Sequence, residues 1–137
     1  MKSTIAITGA TNTAGKLLSE QLAAKGFSLL LLSADTDALQ AWNSGLQEKF
    51  PLVNIDSMQC SYNASWEADI LVLNETREHV LEIASHVKEV VTRKPVIVLQ
   101  AGEQPIPVQE VAAALPHCNI KEATKENIVP MIEALYQ

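Results

Sequence analysis

Thr4–Lys25 reads TIAITGATNTAGKLLSEQLAAK. A β-branched run ends in Thr8-Gly9, a loop of small residues follows, and Gly15 opens an amphipathic helix. Strand, glycine loop and helix start in that order suit an anionic ligand. Glycine permits a tight turn and close backbone approach, while the free N–H groups and the dipole of a helix start favour negative charge. Ala14, Leu18, Gln21 and Leu22 fall at helical spacing through Lys25, and Gly26 is a natural stop.

Outward from this stretch, strands and helices alternate almost to the end. A second strand over Phe27 to Ser33 is apolar without interruption from Leu29 to Leu32, as expected where both faces of a parallel sheet are covered. Asp35, Thr36 and Asp37 offer N-caps to a helix whose inner face is Leu39, Trp42 and Leu46. A third strand follows Pro51, about Val53 to Gln59, and a fourth spans Asp69 to Asn74. Next comes a helix from about Arg77 to Thr92 with Val80, Ala84, Val87 and Val91 as its inward stripe. A fifth strand, Val96 to Gln100, precedes a helix from Pro107 to Leu115. A short strand, Asn119 to Ala123, and a helix from about Lys125 to Tyr136 close the chain. The pattern predicts an α/β fold: a three-layer doubly wound sheet of six mainly parallel strands in the order 3-2-1-4-5-6, one domain over residues 1–137.

The link between strands three and four tests that order. It holds about eight residues, whose extended reach of roughly 26 Å exceeds the ~15 Å needed to cross past two strands. A crossover without a full helix is therefore feasible, with Trp66 as a cap on the sheet beneath it.

Composition narrows the function classes. Apolar residues make up 47% and charged residues 19%, ordinary for a compact domain. The net charge is −6 with scattered basic residues, which argues against a nucleic-acid partner. No segment approaches the ~20 apolar residues of a membrane span, and the N-terminal apolar run is too short for a signal peptide. Cys60 and Cys118 are far apart and form no CxxC pair, so two free thiols in a reducing cytoplasm are expected.

The loop Gly9-Ala10-Thr11-Asn12-Thr13-Ala14-Gly15 carries two of the three glycines of a dinucleotide fingerprint; Asn12 or Thr13 stands at the middle position. Asn tolerates the left-handed conformation, which would preserve the turn. A kinase-type phosphate loop fails on spacing, since five residues separate Gly9 from Gly15 and Leu17 follows Lys16. An FMN loop remains an alternative, because Tyr62 and Trp66 follow strand three where an aromatic could flank a flavin; packing is the plainer role for Trp66, and a surface loop the plainer place for Tyr62. Cofactor preference is read at the end of strand two. Ser33-Ala34-Asp35 matches neither standard pattern. Ser33 is suited to a 2′-phosphate and Asp35 to capping a helix, which tilts the reading toward NADP over NAD.

The first half, ITGATNTAG with LLLLSADTDALQAWNSGLQEKFP and MQC, resembles the short-chain dehydrogenases/reductases. It departs from them in lacking a Gly at Thr13, an Asp at Ser61 and a Tyr-x-x-x-Lys pair. The second half, ADILVLNETREHVLEIASHVKEVVTRKPVIVL with VAAALPHCNIKEATKENI, resembles the N-terminal domain of deazaflavin-dependent NADP oxidoreductases, and is similar to the cytosolic domain of transmembrane ferric reductases. The resemblance implies a Rossmann fold. Gly9, Thr11, Asn12, Thr13 and Gly15 would then line a pyrophosphate, Ser33 and Ala34 the adenosine ribose, and Asn74 and Glu75 the nicotinamide side. Gln100-Ala101-Gly102 replaces the relatives' Asn-Pro after strand five.

The function expected is NADP or NAD binding, with hydride transfer if the chain is an enzyme. The relatives take a second wall of the site from a downstream domain, so a homodimer that supplies it is an expected partner. A non-catalytic nucleotide sensor or interaction module and an FMN electron carrier are the alternatives. His79 and His86, seven apart, read as solvated rather than as metal ligands. His117 and Cys118 are adjacent in an extended segment and point apart. Glu75 and Thr76 read as the start of a helix.

Overall fold

A computed structural model describes residues 3–101 and 104–136. In chain order the elements are β1 (Thr4–Ile7), α1 (Thr13–Ala24), β2 (Ser28–Leu32), α2 (Thr36–Lys49), β3 (Ile55–Met58), α3 (Ser61–Glu67), β4 (Ile70–Leu73), α4 (Arg77–Val87), β5 (Pro95–Leu99), α5 (Val108–Ala114), β6 (Asn119–Ala123) and α6 (Ile128–Tyr136). The strands form one sheet in the order β3-β2-β1-β4-β5-β6, every pairing parallel. Ile5 pairs with Leu29 on one side and Ile70 on the other, so the strand order reverses at β1/β4. In open α/β sheets that reversal leaves a crevice at the carboxyl ends of the strands.

Alternation along each central strand divides the core into two layers. Ile5, Ile7, Leu29, Leu31, Ile70, Val72, Ile97 and Leu99 face α1, α2 and α6. Ala6, Leu30, Leu32, Leu71, Leu73, Val96 and Val98 face α3, α4 and α5. Apolar residues at consecutive positions are thus all buried, which explains the unbroken Leu29–Leu32 run. The edge strands are short or carry charge: β3 exposes Asp56, and β6 exposes Glu122. Such edges discourage further strand pairing.

The link from β3 to β4 differs from its expected form. Residues Ser61–Glu67 make a seven-residue helix, and Trp66 is 67% exposed, so it does not cap the sheet. Ala64 and Ala68, both buried, pack there instead. A small residue every fourth position lets a short helix lie close to the sheet, which no bulky ring would allow. Lys94 Nζ donates to the carbonyls of Ser65 and Trp66 at 2.8 Å each, satisfying the end of α3.

The expected helix over Arg77–Thr92 also ends sooner. α4 stops at Val87, and the chain turns through Arg93, whose φ is 69°, before Pro95 opens β5. Val91 stays buried in that turn. On α1, Gln21 is exposed and Ser19 takes an inward place, its hydroxyl accepting from Trp42 Nε1 at 3.0 Å and donating to the Lys16 carbonyl. Gly26, at φ +87°, ends α1 in the left-handed conformation expected of a stop glycine.

Candidate functional site

The β1–α1 loop is built from hydrogen bonds among its own residues and those at the end of β4. Thr8 is buried; its hydroxyl donates to the Val72 carbonyl at 3.3 Å and accepts from the Asn74 N–H at 2.9 Å, tying β1 to β4. Gly9 follows at φ +60°. A Cβ at Gly9 would overlap the Asn74 carbonyl oxygen, and one at Gly15 would overlap the Gly9 carbonyl oxygen and meet Ala10 Cα at 2.8 Å. Both glycines are therefore demanded by backbone packing. The Gly9 requirement comes from the residue just after β4 and from its own positive φ.

Asn12 departs from the left-handed geometry that its place in the fingerprint suggested. Its φ of −81° and ψ of 170° are extended, and it is the N-cap of α1. Asn12 Oδ1 accepts from the Gly15 N–H at 2.8 Å and from Asn74 Nδ2 at 3.0 Å; Asn74 Nδ2 also donates to the Gly9 carbonyl at 3.1 Å. The missing middle glycine thus falls at a helix cap, where Asn is among the preferred residues. Thr13 and Ala14 begin the helix, and their N–H groups have no hydrogen-bond partner among the described residues. These two donors open onto a cleft of about 660 Å³.

Of the eight residues singled out in sequence, Asn12, Thr13 and Asn74 line this cleft, while Gly9 and Gly15 shape the loop behind it. Thr11 and Ser33 meet over the β1/β2 side, their hydroxyls sharing a 2.7 Å hydrogen bond. Ser33 Oγ also accepts from the Asp35 N–H at 3.2 Å. Ala34 is exposed beside it. Asp35 is the N-cap of α2, accepting from the Ala38 N–H at 3.0 Å, the capping role read from the sequence.

The far wall comes mostly from residues that sequence reasoning did not place there, beside the Gln100-Ala101 segment that it did. Arg77, Leu99, Gln104, Pro105 and Ile106 line the cleft with Ala101. Gln100 organises this wall: its Nε2 donates to the Ile106 carbonyl at 2.7 Å, and its Oε1 accepts from the Ile106 N–H at 2.8 Å. Gly102, noted in the sequence, lies outside the described residues. For Gln104, Pro105 and Ile106 the signal is general, namely that loops after parallel strands surround the crevice.

Glu75 also lines the cleft. Burial pushes its carboxyl above the ordinary value of 4.5; His79 and hydrogen bonding from the Gly9 N–H act the other way. His79 Nδ1 lies 3.9 Å from the carboxylate. Thr76, the neighbour expected to start the helix, is the N-cap of α4. Arg77 pairs through Nε and a terminal nitrogen with both carboxylate oxygens of Glu110, at 2.8 and 2.6 Å.

Other candidates lie elsewhere. Tyr62 packs edge-on against His86, with ring centroids 6.1 Å apart, on the outer side of α3 and α4. Neither Tyr62 nor Trp66 lines the cleft. The flavodoxin-like alternative further requires the strand order 2-1-3-4-5, which this sheet does not have. Cys118 Sγ donates to the Val91 carbonyl, and burial raises its pKa, as for a thiol held in structure.

A parallel sheet ordered 3-2-1-4-5-6, with a glycine turn between β1 and α1, defines a Rossmann-type α/β domain. Particular solved structures share this fold at low identity. One is lactate dehydrogenase from Eimeria maxima, a structure with NADH and oxamate: TM-score 0.72, 11% identity, covering 85% of this chain and 42% of that one. Another is Cryptosporidium parvum malate dehydrogenase: TM-score 0.71, 15% identity, covering 89% of this chain and 45% of that one. L-sorbose reductase from Gluconobacter frateurii, complexed with NADPH and L-sorbose, matches with TM-score 0.60 and 19% identity over 83% of this chain and 60% of that one. The chain spans about half the length of such neighbours. No protein-family model matches it, and no curated protein matches it in sequence. Among the described residues no helix is long and apolar enough to cross a membrane.

Proposed function

We propose that residues 1–137 form a single unit that binds a nicotinamide dinucleotide across the β1/β4 crevice. The pyrophosphate would sit on the first turn of α1, the adenosine ribose near Ser33 and Ala34, and the nicotinamide half over Asn74 and the end of β4. The observation that carries this reading is the pair of unpartnered N–H groups, Thr13 and Ala14, opening onto the cleft. Solved neighbours with the same fold, described with NADH or NADPH, support the ligand class. The helix dipole and two aimed donors suit a pyrophosphate without any basic side chain.

NADP is favoured over NAD, because the Asp35 carboxylate is committed to capping α2 and a hydroxyl, Ser33, stands just after β2. Hydride transfer is the reaction class if the site turns over, with the cofactor supplying the chemistry. A second copy of the chain would close the cleft opposite the nicotinamide, and the cytoplasm is the compartment proposed. These finer points are separable by NADPH and NADH titrations, oxidation assays with simple carbonyls or quinones, and sedimentation with and without cofactor.

The deciding variant is Thr13→Glu. Thr13 is exposed at the first position of α1, where an acidic residue favours the helix, so the fold is retained. The new carboxylate would compete with the pyrophosphate for the same donors. Calorimetry should show NADPH binding by the parent chain and a loss of about tenfold or more in the variant, with unchanged thermal stability. Equal affinity in both would remove the α1 terminus from the site, and no nucleotide binding by the parent would overturn the reading.

A further inference from the structure

The cleft has an electrostatic asymmetry that the binding reading does not use. Among its described lining residues only Glu75 and Arg77 carry charge. Arg77 is paired with Glu110 of α5 through both carboxylate oxygens, so its positive charge is largely answered. Glu75 is answered less completely: its neighbours are the Gly9 N–H and His79, 3.9 Å away in the first turn of α4. The facing elements contribute Asn12, Thr13 and Ala101, none of them ionisable. The cleft therefore carries a negative charge beside Asn74 and the β1–α1 loop, while the first turn of α1 offers donors.

A carboxylate at that position is a poor neighbour for phosphate and a good one for a cation. The two redox forms of a nicotinamide differ in this respect: the oxidised ring is a pyridinium carrying a positive charge, and the reduced dihydropyridine is neutral. Resting on the dinucleotide reading above, we infer that Glu75 makes the site selective for the oxidised over the reduced form of the cofactor. The residue acts through charge at the ring, since the two forms share their adenosine, ribose and pyrophosphate contacts. A charge facing a cation across several ångströms at an intermediate dielectric constant is worth on the order of tenfold in affinity.

The test is a titration of purified chain with NAD+, NADH, NADP+ and NADPH by calorimetry, for the parent, Glu75→Gln and Glu75→Ala. The quantity read is the ratio of dissociation constants, reduced over oxidised, within each pair. Taking that ratio in parent and variant cancels effects of ring planarity and any general change in affinity from removing a charge near the phosphates. The parent should favour the oxidised member about tenfold, and both variants should bring the ratio near one while still binding. A parent ratio near one, or a ratio that survives in both variants, overturns the inference and leaves the binding reading intact. Absence of binding by any of the four nucleotides to the parent overturns both. Adding 0.5 M NaCl should leave most of the ratio in place, because a half-buried charge is screened less than an exposed one.

Discussion

Gly15→Ala is the sharpest test of how the loop is held. In a helix interior, replacing Gly by Ala ordinarily stabilises by about 1 kcal/mol. Here the new methyl would overlap the Gly9 carbonyl oxygen and approach Ala10 Cα at 2.8 Å, both backbone atoms with no rotamer to change. α1 would have to shift away from the β1 turn, and overpacking of this kind costs roughly 3 kcal/mol. The net loss is then about 2 kcal/mol. An unfolding entropy of ~0.29 kcal/mol/K for a chain of this size makes that a fall of about 7 °C in Tm. Gly45→Ala is the matched control, since Gly45 lies within α2 and a Cβ there meets nothing within 4 Å. It should raise Tm by about 3 °C, through helix propensity alone. Thermal unfolding of both variants, followed by circular dichroism, is the assay. If Gly15→Ala proves as stable as the parent, the close contact between α1 and the β1 turn is refuted as the reason for that glycine.

Two further outcomes follow from the same geometry. Asn12→Ala removes an acceptor shared by the Gly15 N–H and Asn74 Nδ2 and should cost about 1–2 kcal/mol, whereas Asn12→Asp keeps the cap and should recover most of it; denaturant midpoints for the two variants check this. Glu75 gives a pH dependence. Burial raises its folded-state pKa, so between the ordinary value of 4.5 and that raised value the folded chain holds the proton more tightly, and stability falls as pH rises through this window. Glu75→Gln escapes the penalty. Its Tm should match the parent below pH 4.5 and exceed it by about 2 °C at pH 7, a modest gain because solvent screens part of the charge; a gap that is constant across pH would exclude Glu75 as its source.

The legible parts of this protein were those governed by local chemistry. The Leu29–Leu32 run, the stripe of Val80, Ala84 and Val87, and the stop at Gly26 each follow from periodicity or from one residue's φ preference, and these sufficed for six strands; their order was expected from the doubly wound class that alternating strands and helices define. Asp35 was recognisable as a cap because capping is decided within three residues. Trp66 was misplaced since exposure depends on which side of α3 meets the sheet, and the small residues Ala64 and Ala68 took that side. Asn12 was seen as a substitute for a glycine, while its actual bonds run to Gly15 and to Asn74, a residue 62 positions away.

By itself the amino-acid order determined the doubly wound sheet and located the glycine turn, because both depend on patterns a few residues long. The tertiary structure alone decided what the turn is packed against, which N–H groups stay open, and that Gln100 organises the far wall. Those facts arise where β1 meets β4 and where the loop after β5 folds over. Contacts between segments far apart in the chain have no period to read, and only assembly of the sheet brings them together.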